Sequence, residues 1–424
     1  SMVPNAPQYK EYCETLLKCV ENGEVSMERL EDAVRRILRV KMAIGLYDKS
    51  SYKETDYPNF ASEEFKNAAL QSAQESITLL KNEDGILPLK KSTKVLVAGP
   101  TGNELTFING AWTHTWQGVD NSYNTKGCET IYTAIAKEVG EENCQYAQGA
   151  NLYLQDGWEA SVIVDSNDFN SKAANSDVIV LCVGELPSTE KPGDIRSLRL
   201  LEAQMDLAKM AYRTGKPVIL VLVEARPRVI HDIVDDASAI FQTYLPGDYG
   251  GTALADLIFG EANPSGKLPY TYPKYDGVIE YYDRPRSVDR SGKTNKFDSF
   301  DPEWEFGYGL SYTEYSYSNF SIDKSTMAKA DSIQVSVDVT NTGNREGKEV
   351  VQLYISDMKA SMVPAGKRLR RYAKISLKPN ETKTVKFTIY SDDLKFSDSK
   401  GNWIIENGQF QLEINRENLK FELN

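Results

Sequence analysis

Asp177-Val178-Ile179-Val180-Leu181-Cys182-Val183-Gly184 places an unbroken apolar run between an aspartate and a glycine. A strand with one wet face alternates polar and apolar residues, whereas a run without alternation reads as a strand buried on both faces. The run is far too short to cross a bilayer, which takes about 20 residues. Working outward from it, Lys94–Ala98 (KVLVA), Val218–Val223 (VILVLV) and Ala239–Tyr244 have the same character. Between them, Glu63–Leu80, Glu129–Val139 and Glu202–Arg213 read as amphipathic helices. Alternation of this kind predicts an α/β sandwich over 60–285, with a mainly parallel sheet covered by helices on both faces. Sites in such folds gather at the carboxyl ends of strands, which directs attention to the residues after Val183 and after Val97.

On either side the pattern changes. Residues 1–59 read as helices: Ser26 is placed to cap one, Leu30, Ala33, Val34, Ile37, Leu38 and Met42 recur at helical spacing, and Gly45 stops the run. That apolar stripe needs a surface to cover, and little in so short a zone provides one. A polar stretch from Tyr281 to Asp301 leads through a connecting segment, 286–311, to a region of period-two text. Ile333–Val339 alternates cleanly, Asn341-Thr342-Gly343-Asn344 is a turn cluster, and strands are expected at Val350–Ile355, Tyr372–Leu377, Lys383–Ile389 and Gln409–Ile414. Short, evenly spaced strands of this kind predict a β-sandwich over 312–424.

Composition narrows the function classes. A net charge of −12 argues against a nucleic-acid partner, because little would neutralise phosphates. The five cysteines, Cys13, Cys19, Cys128, Cys144 and Cys182, are irregularly spaced and do not read as a disulfide framework; Cys182 reads as a small core residue. The two histidines, His114 and His231, lie in no Cys/His cluster with metal-ligand spacing. No cofactor and no metal are expected. Ser1-Met2-Val3 leads into polar text rather than the basic and apolar regions of a signal peptide.

Three segments could carry chemistry. The first, Gly184-Glu185-Leu186-Pro187-Ser188-Thr189-Glu190-Lys191-Pro192-Gly193-Asp194, leaves a buried strand as a loop bearing three carboxylates. Glycoside hydrolysis needs an acid to protonate the leaving oxygen and a second carboxylate near the anomeric carbon. A loop glutamate at a strand's carboxyl end suits the acid, although on spacing alone these residues read first as solvated loop charges. Glu185, next to the strand, reads equally as structural, its carboxylate binding loop N–H groups. The second segment, Gly110-Ala111-Trp112-Thr113-His114-Thr115-Trp116-Gln117-Gly118, holds two indoles four residues apart. Indole faces bury apolar area against the C–H faces of sugars; the other reading is gap-filling over the sheet. The third, Tyr244–Gly251 with Phe259–Pro269, reads as scaffolding, and Glu224-Ala225-Arg226-Pro227-Arg228 as a buried ion pair and turn.

Taken together, these segments resemble glycoside hydrolase family 3 through essentially the whole chain. The phrases that carry the resemblance occur in the family's order: Asp32–Lys41 with Gly45-Leu46-Tyr47-Asp48, Thr78–Leu89, Gly215-Lys216-Pro217-Val218, Asn263–Pro269 and Phe306–Tyr312. The resemblance implies a remnant of the barrel's last helices and linker at 1–59, the family's α/β sandwich domain, and a fibronectin type III-like C-terminal domain. It also implies that the loop pattern Gly-Glu-x-x-x-Thr-Glu carries the acid/base on its second glutamate, here Glu190. Trp116 matches the residue that stacks on the +1 sugar, with Trp112 as its neighbour, and Glu185 is a supporting candidate.

One departure is large. The family's nucleophile is an aspartate on an N-terminal (β/α)8 barrel, in a Ser-Asp-Trp type motif, and neither that motif nor the barrel's Lys-His pair occurs in these 424 residues. Ala225 also replaces the usual glycine of a Gly-Arg-Pro phrase. The resemblance therefore implies a retaining, exo-acting β-glycosidase of β-glucosidase type. This chain would supply the acid/base and the +1 subsite, and would be inactive without a barrel supplied in cis or in trans. Expected partners are β-linked oligosaccharides or β-glucosides, that barrel and a second copy of the chain, with no membrane span; the family implies export. The alternatives are a non-catalytic sugar-binding or interaction fragment, and a β-xylosidase or β-N-acetylglucosaminidase of the same family.

Overall fold

The computed structural model describes residues 8–48, 53–279, 281–285 and 300–424. Ser1-Met2-Val3 and positions 286–299 of the expected connecting segment lie outside the described residues. The chain divides into two units, Ser1–Phe65 and Lys66–Asn424. In the first, α1 (Tyr9–Glu21) and α2 (Met27–Ala43) are helices, and the Ser26 hydroxyl accepts the Arg29 N–H at 3.1 Å as the expected N-cap. On α2, Val34, Ile37, Leu38 and Met42 are exposed. No helix among the described residues is long and apolar enough to cross a membrane.

The second unit is entered along α3 (Glu63–Ser76) and opens with the central sheet. Its strands are β1 (Thr78–Asn82), β2 (Val95–Ala98), β3 (Cys144–Ala147), β6 (Val178–Gly184), β7 (Val218–Val223) and β8 (Ala239–Gln242), while β4 (Ala150–Gln155) and β5 (Trp158–Ile163) form a separate hairpin. The sheet order is β1-β8-β7-β6-β2-β3; all neighbours are parallel except β1, which runs antiparallel to β8. The helices α4 (Leu105–Asn109), α5 (Ile131–Val139), α6 (Ser166–Ala174), α7 (Glu202–Arg213) and α8 (Gly250–Phe259) complete the layers.

Unbroken apolar strands are what two covered faces require. Val178, Val180 and Cys182 pack into the core that contains α5 and α8, while Ile179, Leu181 and Val183 pack into the core that contains α6 and α7. All six residues are at most 1% exposed. The helix expected over Glu63–Leu80 is shorter than its sequence suggests: it stops at Ser76, and Thr78–Asn82 pairs instead with β8. The reason lies in Leu79 and Leu80, which are consecutive, fully buried and divided between the two cores. Successive strand residues point to opposite faces, whereas successive helix residues share one side.

Beyond Tyr312 the chain forms a β-sandwich. One sheet contains β9 (Tyr315–Ile322), β11 (Ser332–Asn341) and β14 (Thr382–Tyr390); the other contains β10 (Thr326–Met327), β12 (Gly347–Asp357), β13 (Arg368–Leu377), β17 (Gly408–Ile414) and β18 (Glu417–Leu423). Two short strands, β15 (Phe396–Ser397) and β16 (Trp403–Ile404), pair separately. Alternate residues such as Ile333, Val335, Val337 and Val339 face Val351, Leu353, Leu412 and Ile414 in one core. An ion cluster ties this sandwich to the α/β layers. Glu75 near the end of α3 bonds Lys348 of β12 and Lys374 of β13, the latter at 2.9 Å. Those two lysines hold the Glu75 carboxyl down at about 2 against the opposing effect of burial.

Candidate active site

The sheet order fixes where a site can form. From β2 the chain passes outward to β3, then crosses back to β6 on the other side of β2. The strand order reverses between β2 and β6, and ligands of open α/β sheets bind at the carboxyl ends beside such a reversal. The segment after β2 runs through α4 into the two-tryptophan loop, and the segment after β6 is the three-carboxylate loop. Glycines let the strand ends approach: a Cβ on Gly99 would lie 2.0 Å from the Cys182 carbonyl oxygen, and one on Gly184 1.9 Å from that of Val223.

The carboxylate loop is fastened along its length. At its root the buried Gln204 of α7 accepts the Gly184 N–H and donates to the Gly184 carbonyl, both at 2.8 Å. Glu185 is 7% exposed, accepting the N–H groups of Ala225 (2.9 Å) and Arg226 (3.0 Å) and pairing with the guanidiniums of Arg226 (2.7 Å) and Arg228 (2.8 Å). Burial acts to raise the Glu185 carboxyl, but these two cations and the backbone donors hold it below its ordinary range. Glu185 thus makes the contacts to loop N–H groups that its structural reading describes. Arg228 is itself buried and also pairs with Glu159 of β5 at 2.5 Å. Arg226 reaches on to donate to the Gly193 carbonyl at 2.6 Å. The Glu224–Arg228 segment is thus an ion-pair and turn, as its sequence suggests, with Glu224 buried and bonded to Tyr272.

Asp194 and Glu190 are both exposed, and among the described residues neither carboxylate enters an ion pair or a side-chain hydrogen bond. Asp194 has an ordinary extended backbone, and Glu190 does not. Its backbone has φ 55° and ψ −150°, a region almost reserved for glycine that costs an L-residue on the order of 1–3 kcal/mol. Its carbonyl accepts the Gly193 N–H at 2.9 Å, so the turn that carries it closes on the residue Arg226 holds.

The tryptophan loop is built in the same manner. Trp112, at φ 62°, donates its N–H to the carbonyls of Thr115 and Trp116 at 2.9 and 3.1 Å, closing the loop on itself. Beneath it, Asp248 accepts from Asn109 Nδ2 (3.0 Å) and Thr125 Oγ1 (2.5 Å) and lies 3.0 Å from His114 Nε2. Burial opposes ionisation of Asp248, yet these three partners hold its carboxyl below the ordinary range. The Tyr244–Gly251 scaffold therefore supports the platform. The indoles themselves are left outside, Trp112 64% and Trp116 49% exposed. They do not fill gaps over the sheet.

The two loops meet through Gln117. Its Oε1 accepts the Thr189 N–H at 3.0 Å, and its Nε2 donates to the Thr189 carbonyl at 3.2 Å. The residue after Trp116 thus grips the residue before Glu190. A neutral amide in a loop carries no chemical motif, and adjacency to Trp116 is the only signal that the sequence holds for Gln117.

Known proteins resemble this chain in sequence and fold. The glycosyl hydrolase family 3 C-terminal domain matches residues 77–312 and a fibronectin type III-like domain matches residues 349–418. The periplasmic beta-glucosidase of Salmonella typhimurium is 36% identical over 96% of this chain and 56% of its own. The lysosomal beta glucosidase of Dictyostelium discoideum is 34% identical over 95% and 50%, and a beta-xylosidase of Formosa agariphila 33% over 92% and 53%. A mutant beta-glucosidase from Listeria innocua, solved with laminaribiose, superposes with a TM-score of 0.79 at 27% identity, covering 96% of this chain and 57% of that one. The chain spans about half the length of the curated relatives it matches.

Proposed function

The chain belongs to glycoside hydrolase family 3, and from that premise we propose that it provides the acid/base and the leaving-group platform of a retaining β-glycosidase. Glu190 is the proton donor and Trp112 and Trp116 are the surface for the +1 sugar. The observation that carries this reading is the pairing, at the switch point of the sheet, of an unpartnered exposed carboxylate with two exposed indoles. Of the other carboxylates described there, Glu185 and Glu159 are engaged with arginines and Glu224 with Tyr272, while Asp194 is exposed like Glu190 but lies farther in sequence from Thr189, the residue Gln117 holds.

In the assembled enzyme an aspartate from a barrel attacks the anomeric carbon while Glu190 gives its proton to the departing oxygen. The resulting glycosyl ester is then attacked by water, which loses its proton to Glu190 as the ester bond breaks. This double displacement retains configuration and sets the two carboxyls about 5–5.5 Å apart. General acid and base assistance of this kind is worth roughly 10²–10⁴-fold. These 424 residues contain no Ser-Asp-Trp motif, so the aspartate comes from a barrel joined to this sequence or carried by another chain. The exposed Val34, Ile37, Leu38 and Met42 of α2 are consistent with a helix built to lie against such a barrel. Relatives named for a periplasmic and a lysosomal enzyme support an extracytoplasmic site of action. Glucosidases and a xylosidase stand at similar identity, which fits a sugar chosen by the part of the enzyme that holds the anomeric carbon.

The reading is tested with the 424-residue chain. It is expected to leave aryl β-glucosides unhydrolysed and to bind cello- or laminari-oligosaccharides weakly, with binding lost in Trp116→Ala. Turnover at the level of a full-length relative, abolished by Glu190→Gln, would refute the missing nucleophile. Tight binding indifferent to Glu190→Gln would instead favour the second reading, a sugar-binding module, which the exposed indoles alone would also serve.

A further inference from the structure

We propose that Gln117 is a positioning residue that locks the backbone before Glu190 to the loop bearing Trp116, making acid delivery and leaving-group recognition one rigid unit. The inference rests on the reading of Glu190 as the acid and Trp116 as the platform, and it concerns a residue that touches neither substrate nor proton.

Three observations converge. A single side chain satisfies both backbone groups of Thr189, at 3.0 and 3.2 Å. Such a two-point grip fixes orientation as well as distance, which one hydrogen bond does not. The residue it grips immediately precedes Glu190, whose φ of 55° and ψ of −150° would relax if its flanks were free. On the far flank Gly193 donates its N–H to the Glu190 carbonyl while its own carbonyl accepts from Arg226. The strained residue is thus held from both sides, by a neutral amide toward the platform and by a guanidinium toward the buried network.

Gln117 is also fixed at its own end. The loop ends approach so closely that a Cβ on Gly118 would lie 2.3 Å from the Gly110 carbonyl oxygen, and Thr115 Oγ1 accepts the Gly118 N–H at 3.2 Å. Trp116 and Gln117 are consecutive in this closed loop, so a displacement of the indole is transmitted to Thr189. The same device appears at the loop root, where Gln204 grips both backbone groups of Gly184. Gln204 holds the loop to its own domain core, while Gln117 holds it to the second functional loop.

The test compares Gln117→Ala, Gln117→Glu and Trp116→Ala in the 424-residue chain, with matched thermal melts. Two quantities are read: amide hydrogen exchange across residues 186–193, and quenching of indole fluorescence by laminaribiose. Gln117→Ala is expected to speed exchange at Thr189 and Glu190 by about tenfold or more and to weaken laminaribiose at least about threefold. The carboxyl introduced by Gln117→Glu mimics the amide only when protonated, donating to the Thr189 carbonyl and accepting its N–H. When ionised it loses the donor. That variant should therefore behave like Gln117→Ala at neutral pH and recover toward the parent near pH 4, roughly the ordinary glutamate range, a pH profile that general loosening does not produce. If Gln117→Ala matches the parent in both readouts while Trp116→Ala abolishes quenching, the positioning role is refuted and the platform stands. If laminaribiose fails to quench the parent while exchange responds as stated, the platform reading falls and the grip on Thr189 stands.

Discussion

Replacing Glu224 by glutamine should stabilise the protein at neutral pH and destabilise it in mild acid. Glu224 follows β7 and is fully buried. Its Oε1 accepts the Arg228 N–H at 3.0 Å and the Tyr272 hydroxyl at 2.9 Å, while Oε2 has no partner among the described residues. The Arg228 guanidinium is turned to Glu185 and Glu159. Burial without a directly paired cation pushes the Glu224 carboxyl from an ordinary 4.5 up to about 8, the Glu185 charge adding to the effect. The folded chain therefore keeps a proton at pH 7 that the unfolded chain releases. Because the folded pKa is raised, the stabilising contribution is complete below about pH 4.5 and is lost progressively as pH rises toward 8.

At about 1.4 kcal/mol per pH unit, the loss by pH 7 is about 3 kcal/mol. Glutamine is neutral throughout and keeps the acceptor for Arg228 and Tyr272. Its amide hydrogens take the unpartnered Oε2 position, which costs about 1–2 kcal/mol. The difference leaves Glu224→Gln more stable by about 1–2 kcal/mol at pH 7 and less stable by up to about 1 kcal/mol at pH 5. For a domain of this size that is an increase of roughly 3–6 °C in melting temperature at pH 7, with a crossing of the two curves between about pH 5 and 6. Differential scanning calorimetry of both proteins at pH 5, 6, 7 and 8 reads it directly. A variant destabilised by the same amount at every pH would show that Glu224 is ionised in the native state and would refute the reasoning.

Glu185→Gln should act oppositely, costing about 3–5 kcal/mol at pH 7 because two arginines, one of them buried, lose a shared counter-charge; calorimetry should show it, and exchange across 185–193 should accelerate. In the parent the Glu185 contribution is present above its ordinary 4.5 and lost as pH falls through its depressed value. Glu75→Gln should loosen the sandwich from α3 by roughly 1 kcal/mol once solvent screening is discounted. Since Glu75 titrates at about 2, the parent should retain the joint at pH 4 and lose it toward pH 2, as followed by limited proteolysis with an acid protease. Asp248→Ala removes the common partner of Asn109, His114 and Thr125. It should cost about 1–3 kcal/mol and lower the fluorescence anisotropy of the indoles, and unchanged anisotropy would count against Asp248 as the platform's support.

What the sequence reveals follows the physics of each element. The runs at Val178–Val183 and Val218–Val223 are legible because burial on two faces removes every polar position. β1 is not, because Thr78–Asn82 follows helical text without a break and only its pairing with β8 distinguishes it. β3 is a four-residue edge strand with a mixed surface, Cys144-Gln145-Tyr146-Ala147, and carries little signal. The β4–β5 hairpin does carry a local cue. Asp156-Gly157 adopts φ values of 50° and 81°, the doubly left-handed turn that Asp-Gly favours between strands. Within the site, Glu190, Trp112 and Trp116 are candidates in the sequence because their side chains have chemistry of their own and match the family's motifs. Gln117, Gln204 and Asp248 act only through geometry that brings distant loops together, and no local pattern records that.

The charges beneath the carboxylate loop suggest why it is built this way. Two guanidiniums, Arg226 and Arg228, face two carboxylates, Glu185 and Glu159, while burial pushes the third carboxyl, Glu224, up to about 8. The network is therefore balanced, two positive against two negative. A surplus cation in that position would form an ion pair with a nearby glutamate and draw it inward; a surplus anion would push it away. Balance removes both effects, so the network can hold Gly193 rigidly without competing for the carboxylate three residues earlier. The buried cluster thus anchors the turn that carries Glu190 and leaves its carboxylate unengaged, as the proposed acid role requires.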